Sequence, residues 1–191
     1  MRLAVIIGST RNGRFGPTVA HWLATQAAKQ FEVDLVDLAT AHLPATLPDT
    51  DDEMPAEVAV LAPRLAKADA FAVVTPEINS SFPAPLKTAL DWYYEEWHAK
   101  PVAIVSYGRE SGGRCATAQL RQVFTELQAV TIRNTVALPC YWEQFTADGG
   151  WPRPSAGYEA EAKVMLDQLV WWAEALRDAR SKRPYQTLRE G

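Results

Sequence analysis

Cysteine and histidine are scarce in this sequence: its 191 residues hold 2 cysteines, Cys115 and Cys140, and 3 histidines, His21, His42 and His98. Two such distant cysteines make neither a C-x-x-C pair nor a zinc-spaced set, and the histidines fall on different elements, so no metal site is expected. Nor do they make a disulfide framework; a chain of this length buries a core without one, and a reduced, cytoplasmic setting follows as the expectation. Positive charge is not in excess. With 19 Lys and Arg against 23 Asp and Glu the net charge is -4, which argues against a nucleic-acid surface, since binding a phosphate backbone needs a basic field over one face. No apolar run approaches the roughly 20 residues that span a bilayer, and the chain starts directly with a strand instead of a basic and then apolar leader, so neither membrane insertion nor export is expected. Repeats and low-complexity stretches are missing too. The remainder, 48% hydrophobic and 22% charged, is the composition of a soluble globular protein organised as a single domain, with a polar tail expected to fray from about residue 181.

What is present is an alternation. Short apolar runs at residues 3–7, 70–75 and 101–106 read as strands buried on both faces. Residues 31–38 alternate as a strand near a sheet edge does, and 130–138 read as the last strand. Helical periodicity covers about 17–29, then 56–67 with Pro63 as a kink or early break. It returns from Pro85 through Leu86, Leu90, Tyr93, Tyr94 and Trp97, then through 118–127, and again from Glu159. Residues 39–55, with three prolines and an acidic run, read as a surface loop, and 140–158 as an irregular aromatic segment. Five strands alternating with helices predict a flavodoxin-like α/β fold, a three-layer sandwich with a five-stranded parallel sheet and helices on both faces.

Parallel strands send their following loops to one edge, where open α/β sheets bind ligands. The first loop, Gly8 to Gly16, lies between a strand and a helix start and carries Ser9, Thr10, Arg11 and Arg14, so backbone N–H groups, hydroxyls and guanidiniums converge on one point. It has neither the Lys-Ser/Thr pair of a triphosphate loop nor the Gly-x-Gly-x-x-Gly of a dinucleotide fold. A phosphomonoester suits it. The loop after the third strand is stiffened by Pro76, and the one after the fourth contains Gly108, Gly112 and Gly113, read as letting backbone approach a flat ligand. Phosphate at one end and a slot at the other describe a mononucleotide with a planar ring, best fitted by FMN.

Three stretches carry a resemblance: Gly8-Ser9-Thr10-Arg11; the run from Pro76-Glu77-Ile78-Asn79-Ser80-Ser81 through Leu86-Lys87 to Asp91-Trp92; and Ser106-Tyr107-Gly108 with Gly112-Gly113-Arg114. Together they resemble the signatures of the NADPH-dependent FMN reductase family, over about residues 1–138. The resemblance implies a phosphate site at Ser9, Arg11, Arg14, Phe15 and Gly16, a ring and ribityl site along Thr75, Pro76, Glu77, Ile78 and Asn79, and a polar ring edge at Ser106, Tyr107, Gly108, Gly112 and Gly113. It implies FMN as cofactor, NADPH or NADH as co-substrate, a small-molecule electron acceptor (free flavin, quinone, azo compound or metal oxyanion), and a homodimer or dimer of dimers. Ile78 stands where the family commonly has Tyr. Hydride chemistry belongs to the cofactor, so no side chain is named as an obligatory acid, base or nucleophile. Arg109 and Arg114 are candidates for a 2′-phosphate or plain surface residues. Cys115, at a helix start, is read as a packing thiol, and Tyr93, Tyr94, Trp97, Trp142 and Trp151 as core or interface, with the wall of an acceptor pocket as the alternative. The alternatives are an FMN-binding electron carrier or redox sensor that does not use nicotinamide, and a phosphate-ligand domain without redox chemistry.

Overall fold

The structure, a computed structural model, describes residues 1–48, 54–148, 150–153 and 157–185. In chain order it runs β1 (Arg2–Ile7), α1 (Gly16–Ala27), β2 (Glu32–Asp37), α2 (Leu38–Ala41), α3 (Ala56–Lys67), β3 (Ala70–Pro76), α4 (Ala84–Trp92), β4 (Pro101–Gly108), α5 (Arg114–Glu126), β5 (Val130–Thr131), β6 (Val136–Pro139) and α6 (Tyr158–Lys182), with 3-10 turns at Glu95–Trp97 and Tyr141–Gln144. All strand pairings are parallel, in the order β2-β1-β3-β4-β5, with β6 also on β4. This is the flavodoxin-like order.

The strands are apolar on both faces because helices cover both. Leu3, Val5 and Ile7 of β1 point to one core with α1 and α6, while Ala4 and Ile6 point to a second core with α3, α4 and α5. β2, at the edge, is only partly buried, which explains its alternation.

Four departures from the sequence reading have identifiable causes. The last strand is interrupted: β5 pairs with the first residues of β4 and β6 with its last four. Between them the Asn134 N–H donates to Gln168 Oε1 on α6 at 2.9 Å and the Arg133 carbonyl accepts from Arg121 on α5 at 2.9 Å, so side chains replace the ladder. Secondly, α3 continues through Pro63, since Val58, Leu61 and Leu65 bury its inner face on both sides of the proline. At its end Lys100 Nζ donates to the carbonyls of Leu65 and Ala66 at 3.0 and 2.8 Å. Thirdly, α4 stops at Trp92; Tyr93 is extended, and the chain then makes a 3-10 turn. The break lets Tyr93 and Trp97 both enter the core, with Trp97 Nε1 donating to the Tyr93 carbonyl at 2.8 Å, while Tyr94 is left 50% exposed. Lastly, the segment expected as loop from residue 39 begins within helix α2, whose cap is Asp37: its Oδ1 accepts from the Ala39 N–H at 3.0 Å. The acidic run 49–53 and residues 186–191 of the tail lie outside the described residues, and α6 persists to Lys182. Among the described residues no helix is long and apolar enough to cross a membrane.

Candidate functional site

From β1 the chain crosses one way to β2 and then back past β1 to β3, so strand order reverses at β1/β3. There the carboxyl ends of β1, β3 and β4 enclose a cavity of about 360 Å³. The first loop contributes Ser9, Arg11, Asn12, Gly13, Arg14 and Phe15; the end of β3 Pro76, Glu77 and Ile78; the end of β4 Tyr107, Gly108 and Arg109; and Tyr141 and Trp142 complete the wall. The three expected loops therefore meet. Of the expected residues, Gly16, Thr75, Asn79, Ser106, Gly112 and Gly113 are not among those lining the cavity.

The first loop is short of acceptors. Gly8 N–H donates to the Val74 carbonyl at 2.9 Å and Arg14 N–H to the Arg11 carbonyl at 3.3 Å, but the N–H groups of residues 9–13 find no partner among the described residues. α1 behind them has no side-chain cap and no acidic residue in its first turn, so the positive end of its dipole is unanswered. Arg11 is exposed on the cavity and makes no ion pair among the described residues. Arg14 is different: its guanidinium is bonded to Asp37 at the end of β2 at 2.5 Å. The pair is largely shielded, at 17% and 23% side-chain exposure, and Arg14 Nε is buried without a partner. Donors of this kind, at the start of a helix, are able to receive an anion.

Beneath the loop sits Tyr107. It is 3% exposed, its hydroxyl is set against the Ser9 side chain and the Gly16 N–H, and burial holds that hydroxyl well above the usual tyrosine range. Gly16 leaves room for it, since a Cβ there would lie 2.9 Å from Ile7 Cγ2 and 3.2 Å from the Tyr107 hydroxyl.

Glu77 is engaged by protein. Its Oε1 accepts from Ser111 Oγ at 3.0 Å, its Oε2 from the Cys115 N–H in the first turn of α5 at 2.9 Å, and its own N–H donates to the Tyr107 carbonyl at 2.9 Å. The N-cap position of α5 is Gly113, which has no side chain to cap with, so a carboxylate from another loop supplies the bond. Ile78 and Ser81 exchange two backbone bonds of 2.8 and 2.9 Å around Asn79 and Ser80, both at positive φ. Asn79 is thus an exposed hairpin residue. Thr75 is buried with its hydroxyl on the Pro76 carbonyl at 3.0 Å.

The reading of Gly112 and Gly113 as a slot for a flat ligand needs correction. At φ +61 and +89, their Cβ atoms would lie 2.9 Å from Pro139 N and 2.5 Å from Ser106 Cβ. These glycines let the loop fold onto β4 and β6 of its own chain, closed by Ser106 Oγ donating to the Gly112 carbonyl at 2.8 Å. Gly108 does face the cavity. Cys115, read as a packing thiol, is exposed, because α5 buries Ala116, Thr117, Leu120 and Phe124 instead. Arg109 lines the cavity and Arg114 does not. Asn12 and Gly13 belong to the expected first loop without having been named as contacts, and Tyr141 was not anticipated at the site; the density of aromatics in the segment after Cys140 was the available signal. Trp142 is 48% exposed, so it is not core, and it stands in the cavity wall.

Strand order and cavity define a flavodoxin-like fold with an open site at its switch point. The chain belongs to the NADPH-dependent FMN reductase family, whose model matches residues 1–143. It is 33% identical to an NAD(P)H-dependent FMN reductase of Schizosaccharomyces pombe over 148 residues, 72% of this chain and 74% of that protein. It is 35% identical to a 2-hydroxy-1,4-benzoquinone reductase of a Burkholderia species over 140 residues, 70% of this chain and 75% of that one. Among solved structures it resembles FerB, a flavoenzyme NAD(P)H:(acceptor) oxidoreductase of Paracoccus denitrificans, with a TM-score of 0.77 and 26% identity over 91% of this chain and 97% of that one.

Proposed function

We propose that the cavity holds FMN, with Arg11, the hydroxyl of Ser9, the N–H groups of residues 9–13 and Arg14 Nε serving its phosphate and residues 76–78 and 107–109 serving its ring. In this reading the protein is an oxidoreductase that passes hydride from NAD(P)H through FMN to a small-molecule acceptor such as a quinone or free flavin. One observation carries it: the donors without partners stand at the same cavity as the ends of β3 and β4. Bound FMN supplies the hydride chemistry.

The chain's own residues bind and orient. Arg11 answers the phosphate's charge, and the loop N–H groups fix its position at the positive end of α1. Glu77 ties the end of β3 to the start of α5, so the loops flanking the ring keep one spacing. The Glu77 carboxylate is engaged and Tyr107 stays protonated under the loop, so neither is assigned a proton-transfer role. Ile78 offers the cavity an alkyl group, and Trp142 an aromatic wall against which a planar acceptor can lie. We further take the protein to be cytoplasmic and to work as a homodimer or a pair of dimers, on the strength of its two free cysteines and of the family resemblance.

The test is anaerobic absorbance spectroscopy of the FMN-loaded protein. Bleaching of the oxidised-flavin band by NADPH or NADH, reversed by a quinone, is the expected result. FMN that binds but is bleached by neither nucleotide overturns the oxidoreductase reading in favour of a carrier or sensor.

A further inference from the structure

Phe15 occupies the N-cap position of α1, where serine, threonine, asparagine or aspartate would bond to the first free N–H groups of the helix; phenylalanine supplies no such bond. The direction in which the first loop enters α1 is therefore set by packing. Phe15 has four aromatic neighbours: Tyr141 stacked at a centroid distance of 4.4 Å, Trp151 edge-on at 4.9 Å, Phe145 edge-on at 5.6 Å and Tyr107 edge-on at 5.9 Å. Three of the four come from the segment after β6. Trp151 also meets Trp22 of α1 at 5.7 Å, and its Nε1 donates to the Tyr141 carbonyl at 3.1 Å. The segment is braced internally by Thr146 N–H on the Gly150 carbonyl and Arg153 N–H on the Gln144 carbonyl, each at 2.8 Å. The family match ends at residue 143, so Phe145 and Trp151 lie beyond it.

We infer that this aromatic segment is a positioning device for the phosphate loop: Tyr141, Phe145 and Trp151 hold Phe15, and through it the N–H groups and arginines of residues 9–14, in the arrangement that accepts a phosphate. The inference rests on the flavin reading above. Offset and edge-on aromatic contacts are directional as well as apolar, so they fix a ring's orientation as simple burial does not. Holding a loop in its binding geometry raises affinity by removing the ordering cost at the moment of binding. Phe145 and Trp151 do not line the cavity, so their hold, through Phe15, is on the phosphate end. Its loss weakens phosphate recognition while leaving the ring site at the ends of β3 and β4 in place, so it governs discrimination between FMN and riboflavin.

The experiment is titration of the full-length apoprotein with FMN and with riboflavin, by flavin fluorescence, for the wild type, Trp151→Ala, Trp151→Phe and Phe145→Ala. For Trp151→Ala the FMN dissociation constant is expected to rise roughly tenfold while that of riboflavin changes less than about twofold, the signature of lost preorganisation at one end of a site. Trp151→Phe, which keeps an aromatic edge on Phe15, is expected to restore most of the discrimination. Phe145 is 42% exposed, so its truncation does not threaten the fold, and it is expected to shift the ratio the same way by less. An FMN-to-riboflavin ratio equal to wild type in both alanine variants overturns the inference, as does a parallel loss of both flavins. Wild-type protein that binds neither flavin removes the flavin reading itself, and this inference with it.

Discussion

Arg11 and Arg14 stand three positions apart in one loop and meet different ends. Arg14 is held by Asp37, 23 residues further along the chain, whereas Arg11 faces the cavity with its charge unanswered by any described carboxylate. Arg11→Ala is accordingly expected to weaken FMN binding by the worth of a charge-assisted contact, about 1.5–3 kcal/mol, or roughly ten- to over a hundredfold in the dissociation constant by fluorescence titration. An unchanged constant would remove Arg11 from the site. Glu77 presents another residue-scale question, because a carboxylate in a ligand cavity reads as a ligand contact until its partners are seen. As the cap of α5, its truncation in Glu77→Ala is expected to cost about 1–2 kcal/mol of stability in urea unfolding, with Glu77→Gln recovering part of the loss because the amide oxygen still accepts.

At the scale of elements, two glycines at positive φ separate the demands of a turn from those of packing. Gly13, at φ +64, has open space around its Cβ direction, while Gly113, at φ +89, would place a Cβ 2.5 Å from Ser106 Cβ. Gly13→Ala therefore meets only backbone strain, about 1 kcal/mol, whereas Gly113→Ala must also displace β4 and is expected to cost on the order of 3 kcal/mol. Equal urea midpoints for the two variants would contradict the packing role given to Gly113. The bidentate pair between Arg64 on α3 and Asp34 on β2, at 3.0 and 2.6 Å, joins an edge strand to its covering helix. The Arg64 guanidinium holds the Asp34 carboxyl below its ordinary value, so the pair stabilises the fold above the unfolded carboxylate's pKa and is lost as pH falls through the depressed one. Both groups are partly exposed, so Asp34→Asn is expected to cost less than about 1 kcal/mol near neutral pH, with the difference from wild type vanishing in acid.

For the molecule as a whole, the end of the sheet opposite the cavity carries a pH signature. Lys100 is 6% exposed, and burial pushes its ammonium down to about 8 from an ordinary 10.5. Between those values the unfolded chain holds a proton that the folded chain has released, so stability rises with pH across that window. Tyr93 and Tyr107 act in the opposite sense, since their buried phenols are held above the usual range and their contribution is lost as pH rises beyond about 10. Urea unfolding of wild type between pH 7.5 and 9.5 is therefore expected to show a rising midpoint, flattened in Lys100→Met; a wild-type midpoint that is flat or falls over that range contradicts it.

Local chemistry determined much of this protein. Runs of β-branched and small apolar residues such as Leu3 to Ile7 could only be strands covered on both faces, and the alternation of such runs with helical periodicity specified a parallel α/β sheet with its loops along one edge. The loop from Gly8 to Gly16 was legible as a strand-helix junction rich in hydrogen-bond donors because turn residues, hydroxyls and arginines act over a few positions. What the tertiary structure alone decided lies in pairs far apart in sequence: Asp37 taking Arg14, Glu77 capping α5 across 38 residues, Gly112 and Gly113 closing on β4 and β6, and Trp151 reaching back to Phe15. No periodicity encodes these partners. Which carboxylate meets which donor, and which ring meets which, depends on strand order and on where helices cross the sheet, and those are settled only when both cores are buried at once.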